Sequence, residues 1–278
     1  MASARYRDGR AAVPYRVSGL PGCPLRPLPP IRRPAYTGRL MDAAKRAEAL
    51  ATYAAETAGC TRCPLAETRT QVVFGSGNPD AELMLVGEAP GFHEDQGGLP
   101  FAGQAGELLG RLLTGIGLDR GDVYLANVLK CRPPQNRDPL EGEITACEPH
   151  LFRQIDLVRP RVVATLGNFA TKLLSGRSFR ITRVHGQERA LELGGTNVLL
   201  YPLYHPAAAL YTPSLLQALE DDFSRLPGLL GREAPVPVPS RQLSVAQPEH
   251  REASEEAELA DDLEDDAVAA GATQLGLF

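Results

Sequence analysis

Two sets of side chains in this sequence are of types and spacings that do chemistry. The first consists of two polar motifs, each following an apolar run: Gly87-Glu88-Ala89-Pro90-Gly91 after residues 81–86, and Tyr204-His205-Pro206-Ala207 after residues 197–203. An acid at one strand end can orient water or steady a developing cation, and an imidazole at another can donate to a developing anion. Small residues beside Glu88 let a ligand come close to the backbone. The same loop also reads as a tight turn, and a lone histidine after a strand is often structural. No Gly-Lys-Ser/Thr follows the glycines, so this is not a phosphate-cradling loop of nucleotide hydrolases. Between the two motifs lie Glu94, Phe101 in a loop bounded by Gly and Pro, and Asn127 inside an otherwise apolar run. An aromatic ring there either plugs the core or stacks on a planar ligand. A buried amide must find a donor and an acceptor, on the backbone or on something bound.

The second set is made of cysteines. Cys60 and Cys63 form C-x-x-C, and Cys131 and Cys147 follow far downstream. Four thiolates can close one site around zinc or an iron–sulfur cluster; the wide second spacing suits a cluster as well as or better than a zinc ribbon. Cys23 lies in a different kind of segment and reads as unconnected.

These residues need elements to position them. The apolar runs 81–86, 123–129, 161–166 and 197–203 read as buried strands, with helices at about 103–117, 141–157, 168–175 and 214–227 between them. Such alternation predicts a three-layer α/β/α sandwich with a mostly parallel central sheet. Ligands bind such sheets at the carboxyl ends of their strands, where both polar motifs fall. A further helix opens at Met41, since Asp42 is a good N-cap before an alanine-rich stretch. Residues 1–40 are rich in Pro and Arg and read as a disordered arm, or as a stretch upstream of a true start at Met41. Residues 42–230 read as one folded domain, and residues 231–278 as a disordered acidic tail.

The 278 residues carry a formal charge of −5, unevenly distributed. The arm holds eight arginines and one acid, and residues 249–266 hold ten acids and one arginine, which leaves the middle near −3. Net charge therefore gives no positive support for a nucleic-acid partner, and that case rests on the site. No run is long and apolar enough to span a bilayer, and the start lacks the pattern of a signal peptide, so a cytoplasmic, nucleoid-associated protein is expected. In that reducing compartment the cysteines are better ligands than disulfides.

Taken together, CTRCPL, VGEAPG, EDQGGLPFAGQAGELL, NVLKCRPPQNR, TLGNFA, ITRVHG and YHPAAAL resemble the family 4 uracil-DNA glycosylases in order and spacing, over about residues 42–230. The resemblance implies the uracil-DNA glycosylase-like fold. It also implies a [4Fe-4S] cluster on Cys60, Cys63, Cys131 and Cys147, and release of uracil from DNA to leave an abasic site. Carried over by position, it makes Glu88 the acid of the water-activating loop and His205 a donor to O2, the two catalytic residues. Gly87 and Ala89 would offer backbone to the uracil, Glu94 would wall the pocket near C5, Phe101 would stack on the base, and Asn127 would read its polar edge. The segment 207–211 would fill the gap left by the flipped nucleotide, with Leu210 as the wedge. A related branch is trapped covalently through a histidine inserted after the third cluster cysteine; RPPQNRDPLEG has neither histidine nor insertion, so turnover and a free product are expected. His93 and His185 receive no role, although the arginines around His185 are placed to meet phosphates. Two other readings stand beside this one: a non-catalytic iron–sulfur DNA-binding protein of the same fold, and a hydrolase of small N-glycosides.

The chain ends in Gln274-Leu275-Gly276-Leu277-Phe278, which looks like the QL-[SD]-LF peptide with which bacterial repair proteins bind the sliding clamp, with Gly at the middle position. Gln274, Leu275, Leu277 and Phe278 would enter an apolar groove while the acidic tether leaves the domain free to scan nearby DNA. The protein itself is expected to be a monomer.

Overall fold

The computed structural model describes residues 42–232. The arm 1–40, the alternative start Met41, Cys23 and the tail beyond residue 232 with its clamp-like terminus lie outside the described residues.

The first helix, α1 (Ala43–Ala58), starts where expected, with the Asp42 carboxylate accepting from the Lys45 backbone N–H at 2.8 Å. After a 3₁₀ turn at Pro64–Glu67 come β1 (Ser76–Gly77), β2 (Leu83–Gly87), α2 (Phe92–Gly97), α3 (Gln104–Gly115) and β3 (Tyr124–Asn127). A second 3₁₀ turn, Pro134–Asn136, leads into α4 (Glu141–Val158), β4 (Val162–Leu166), α5 (Asn168–Ser175) and α6 (Ile181–Val184). The last elements are β5 (Arg189–Leu193), β6 (Thr196–Leu203), α7 (Pro206–Ala209) and α8 (Pro213–Leu230).

The sheet runs β1-β3-β2-β4-β6-β5. Its four inner strands are parallel, and the edges β1 and β5 are antiparallel to their neighbours. Strand residues alternate between two cores. Met84, Val86, Ala126, Val163 and Leu200 face one core with Leu50 of α1, Leu151 and Ile155 of α4, and Leu174 of α5. Leu85, Leu125, Ala164, Tyr201 and Leu203 face the other with Leu109 and Leu113 of α3 and Leu219 and Phe223 of α8. Helices on both faces of a mostly parallel sheet make the expected α/β/α sandwich. From β2 the chain moves to β3 on one side and then to β4 on the other, so the strand order reverses around β2 and opens a crevice at its carboxyl end.

The four apolar runs are the four parallel strands. The edge strands left no such signal: β1 has only two residues, and β5 (RALEL) exposes most of its side chains, as an edge strand paired on one side does. The run 123–129 extends past β3, which ends at Asn127, and the Val128 and Leu129 N–H groups donate to the carbonyls of Gly87 and Glu88. Among the described residues no helix is long and apolar enough to cross a membrane.

Candidate active site and cysteine pocket

The crevice is built around a glycine. Gly87, the last residue of β2, pairs in register with Asn127, the last of β3. A Cβ on Gly87 would come within 2.5 Å of the Asn127 side-chain oxygen and 2.7 Å of the Phe101 ring, so the glycine lets both side chains close over the strand end. Asn127 is 2% exposed, and its amide nitrogen has no hydrogen-bond partner. A buried donor left unpaired is expensive, and it marks a place for an acceptor that binds from outside.

Phe101 is held in an unusual conformation, with φ at 56°. Three neighbours fix it there. Arg120 donates to the carbonyls of Phe101 at 2.9 Å and Pro100 at 2.7 Å. The Glu94 carboxylate accepts from the N–H of Gly91 at 2.7 Å and also from those of Phe101 and Ala102. Gly106 leaves room for the turn, since a Cβ there would strike the Phe101 carbonyl. Burial pushes the Glu94 carboxyl up, and those three N–H donors and Arg120 pull it back down.

His205 follows β6 and caps α7, its Nδ1 accepting from the Ala207 N–H at 3.1 Å. With Nδ1 an acceptor, the ring proton sits on Nε2. Burial lowers the His205 pKa to about 4, so the ring is neutral at ordinary pH. It lies near-parallel to Phe101, with centroids 6.4 Å apart and 28° between planes. Glu88 stands one residue beyond Gly87, and burial, with help from Asp138, raises its carboxyl to about 7. Ala89 packs on the first core.

Gly87, Glu88, Ala89, Glu94, Phe101, Asn127 and His205 therefore gather at the carboxyl end of the sheet. Leu210 does not join them, because its half-buried side chain packs on the second core. Next to it Tyr211 is 66% exposed. His93 lies edge-on to Phe92, and His185 pairs with buried Asp222 at 2.7 Å beneath the Tyr204 ring. Sequence reasoning missed Arg120, which sits in an unremarkable loop. It also missed Lys130, whose charge in the run NVLKC was a signal.

On the other face of the sheet, Cys60, Cys63, Cys131 and Cys147 line one pocket of about 280 Å³, counted with its open mouth, together with Arg62, Arg69, Lys130 and His150. Two of the sulfurs accept from N–H groups, Cys131 Sγ from Arg69 at 3.4 Å and Cys147 Sγ from the Lys130 backbone at 3.3 Å, and His150 Nε2 lies 3.4 Å from Cys60 Sγ. The Tyr53 hydroxyl meets His150 Nδ1 at 2.7 Å, so the ring bridges Tyr53 and the Cys60 sulfur. Among the described residues no three Cys, His, Asp or Glu side chains are placed to hold a single ion.

The sequence profile of the uracil DNA glycosylase superfamily matches residues 74–225. A type-4 uracil-DNA glycosylase of Sulfurisphaera tokodaii is 48% identical over 176 residues, 62% of this chain and 80% of that protein. One of Archaeoglobus fulgidus is 44% identical over 68% of this chain and 96% of the relative, and one of Saccharolobus solfataricus 46% over 60% and 80%.

Proposed function

Because the chain belongs to the uracil DNA glycosylase superfamily and, within it, to the type-4 uracil-DNA glycosylases, we propose that it hydrolyses the N-glycosidic bond of deoxyuridine in DNA, releasing uracil and leaving an abasic site for base excision repair. The observation that carries this reading is the buried, unpartnered amide nitrogen of Asn127 against Gly87 and Phe101. Uracil offers an acceptor at O4 beside the N3–H donor, which an amide matches; cytosine presents a donor where O4 would be, and the amide nitrogen then meets the wrong polarity.

The other residues take their roles from this pose. Phe101 stacks on the base, and Gly87 and Ala89 let the backbone approach it. Glu94 closes the pocket near C5 while tying the loop through the Gly91, Phe101 and Ala102 N–H groups. As the glycosidic bond breaks, negative charge grows on the base and positive charge on the sugar. The neutral His205 donates its Nε2–H to O2, and a preset donor of this kind is worth about 10²- to 10³-fold in rate. Glu88, as a carboxylate, orients the attacking water and steadies the sugar cation. The nucleotide is first flipped from the duplex at a cost of a few kcal/mol, with residues 207–211 filling its place. With no histidine in residues 132–142 the product is released without a covalent adduct.

Cys60, Cys63, Cys131 and Cys147 would hold a [4Fe-4S] cluster. Its fit rests on the shared pocket, on N–H donors to the Cys131 and Cys147 sulfurs and on the flanking Arg62, Arg69 and Lys130, which suit an anionic group. Four cysteine thiolates are the ligand set that such a cluster takes. When bound, the cluster would tie the segment after α1, the loop after β3 and α4 together and would bring anionic charge to that face of the sheet. Residues 42–230 constitute the catalytic unit, acting as a monomer in the cytoplasm at the nucleoid. The terminal Gln274, Leu275, Leu277 and Phe278 dock the protein on the sliding clamp; deleting the last five residues then abolishes clamp pull-down with activity on short duplexes intact, and unchanged pull-down refutes the docking.

The deciding experiment is uracil release from a labelled oligonucleotide by anaerobically purified protein, beside Asn127→Ala and His205→Ala. Release by wild type with large losses in both variants supports the reading. No release from cluster-loaded protein turns it toward a DNA-binding module, and activity on free nucleosides toward a small-molecule hydrolase.

A further inference from the structure

Lys130 is a lysine where a lysine is costly. It is 1% exposed, follows two buried residues, Val128 and Leu129, beyond β3, and immediately precedes Cys131. Its ammonium donates to the backbone carbonyl of Asn127 at 2.8 Å and to the Gln154 side-chain oxygen at 2.5 Å, both neutral acceptors. Gln154 is itself fully buried and oriented, because its nitrogen donates to the Phe74 carbonyl at 2.7 Å and to the Tyr124 hydroxyl at 3.3 Å. The Lys130 backbone is also committed, its N–H to Cys147 Sγ and its carbonyl to the Val73 N–H at 2.8 Å. Burying an ammonium among neutral acceptors is costly unless an anion stands nearby. Lys130 lines the cysteine pocket beside Cys131 and Cys147.

We propose that Lys130 is a positioning residue that couples the cysteine site to the base-reading Asn127. The anionic cluster-bearing site provides the countercharge for the buried ammonium, and the ammonium fixes the carbonyl of Asn127 and with it the direction of the amide. Gln154 completes the link from the cysteine side, since Cys147, His150 and Gln154 lie on one face of α4 at spacings of three and four residues. Loss of charge at the cysteines is then felt at the uracil edge, although the two sites occupy different ends of the segment 127–131. This inference rests on the proposed glycosylase reaction and cluster, and both are checked separately by uracil release and iron content of the wild type.

The test is Lys130→Met in the full chain, purified anaerobically, with iron content, visible absorption, cluster reduction potential and steady-state kinetics measured beside the wild type. The expected result is retained iron, a potential shifted to more negative values because a nearby cation is gone, and kcat/KM for uracil-containing DNA lowered about 10- to 100-fold, with narrowed discrimination against cytosine. Lys130→Gln, which removes the charge and keeps a donor, shifts the potential equally and retains more of the kinetics. An unchanged potential, or unchanged kinetics and discrimination with the potential shifted, overturns the coupling. If neither variant keeps its cluster, Gln154→Met decides: raised KM at unchanged potential supports it, and unchanged KM refutes it. A wild type that holds iron but releases no uracil refutes the proposed function and leaves the potential shift to judge the electrostatic half.

Discussion

Gly87 and Asn127 end adjacent parallel strands in register, and the absent side chain of the first is the space the second occupies. Gly87 lies outside the left-handed region, so alanine fits its backbone and the only conflict is with the Asn127 and Phe101 side chains. Gly87→Ala is expected to displace both groups by up to about an ångström and to cost about 10²-fold in single-turnover uracil release. Overpacking of this kind costs about 1–3 kcal/mol of stability, so thermal melting should move only modestly. Near-normal release would show that Asn127 and Phe101 do not form the pocket.

Arg120 touches Phe101 only through backbone carbonyls, yet it holds the ring in place. Removing it by Arg120→Met frees a loop that depends on a positive φ. KM should rise about tenfold with a smaller change in kcat, since stacking serves ground state and transition state alike. Arg120→Lys should recover part of the loss, having donors but not the fork that spans two carbonyls. A fall in kcat at constant KM would assign Arg120 some other role.

The parts of this architecture legible in the sequence were those written in hydrophobic pattern. Buried parallel strands are continuous apolar runs, and all four are legible together with α3, α4, α5 and α8, while the short α2, α6 and α7 leave no periodic signal. Motif position at strand ends then located Gly87, Glu88 and His205. What pattern did not reveal came from relationships across the chain. The grip of Arg120 on Phe101 joins residues 19 apart by backbone contacts, which leave no constraint on neighbouring residue types. The hydrogen bond from Lys130 to Asn127 spans three residues, but its meaning depends on Gln154 from α4 and on cysteines from three segments. Edge strand β5 escaped because exposed alternation reads as loop.

Glu88 makes the reaction sensitive to pH near neutrality. Burial, then Asp138, raises its carboxyl from the usual range to about 7, so it keeps its proton until about that pH. Water activation needs the ionised form, and kcat/KM should therefore rise through about pH 7 to a plateau above it. His205, neutral above about 4, contributes no limb in this range. Glu88→Gln should flatten the profile at low rate, and Asp138→Asn should move the inflection to more acid pH. The stability sign runs the other way: a carboxyl raised on folding stabilises in its protonated state, so that contribution is lost as pH rises through about 7. Melting temperature should decline there in wild type and less in Glu88→Gln. A pH-independent rate across this range would remove Glu88 as the base.

The last prediction separates two neighbours in the turn after His205. Leu210 was expected to fill the gap left by a flipped nucleotide, but a wedge must be free to enter the duplex, and this side chain is partly packed on the second core. Tyr211 projects 66% exposed from the same turn and carries a flat ring that can stack on the bases flanking the gap. Filling a gap matters only where there is a stack to open, so a wedge mutation should slow release from double-stranded substrate and spare single-stranded substrate. Tyr211→Ala is expected to show that split, at roughly tenfold or more. Leu210→Ala should instead lower thermal stability by a few kcal/mol at most, with similar effects on both substrates, because a core-packed leucine acts through the fold. The reverse outcome, with the strand-dependent loss at Leu210, would restore it as the wedge and require α7 to shift when DNA binds.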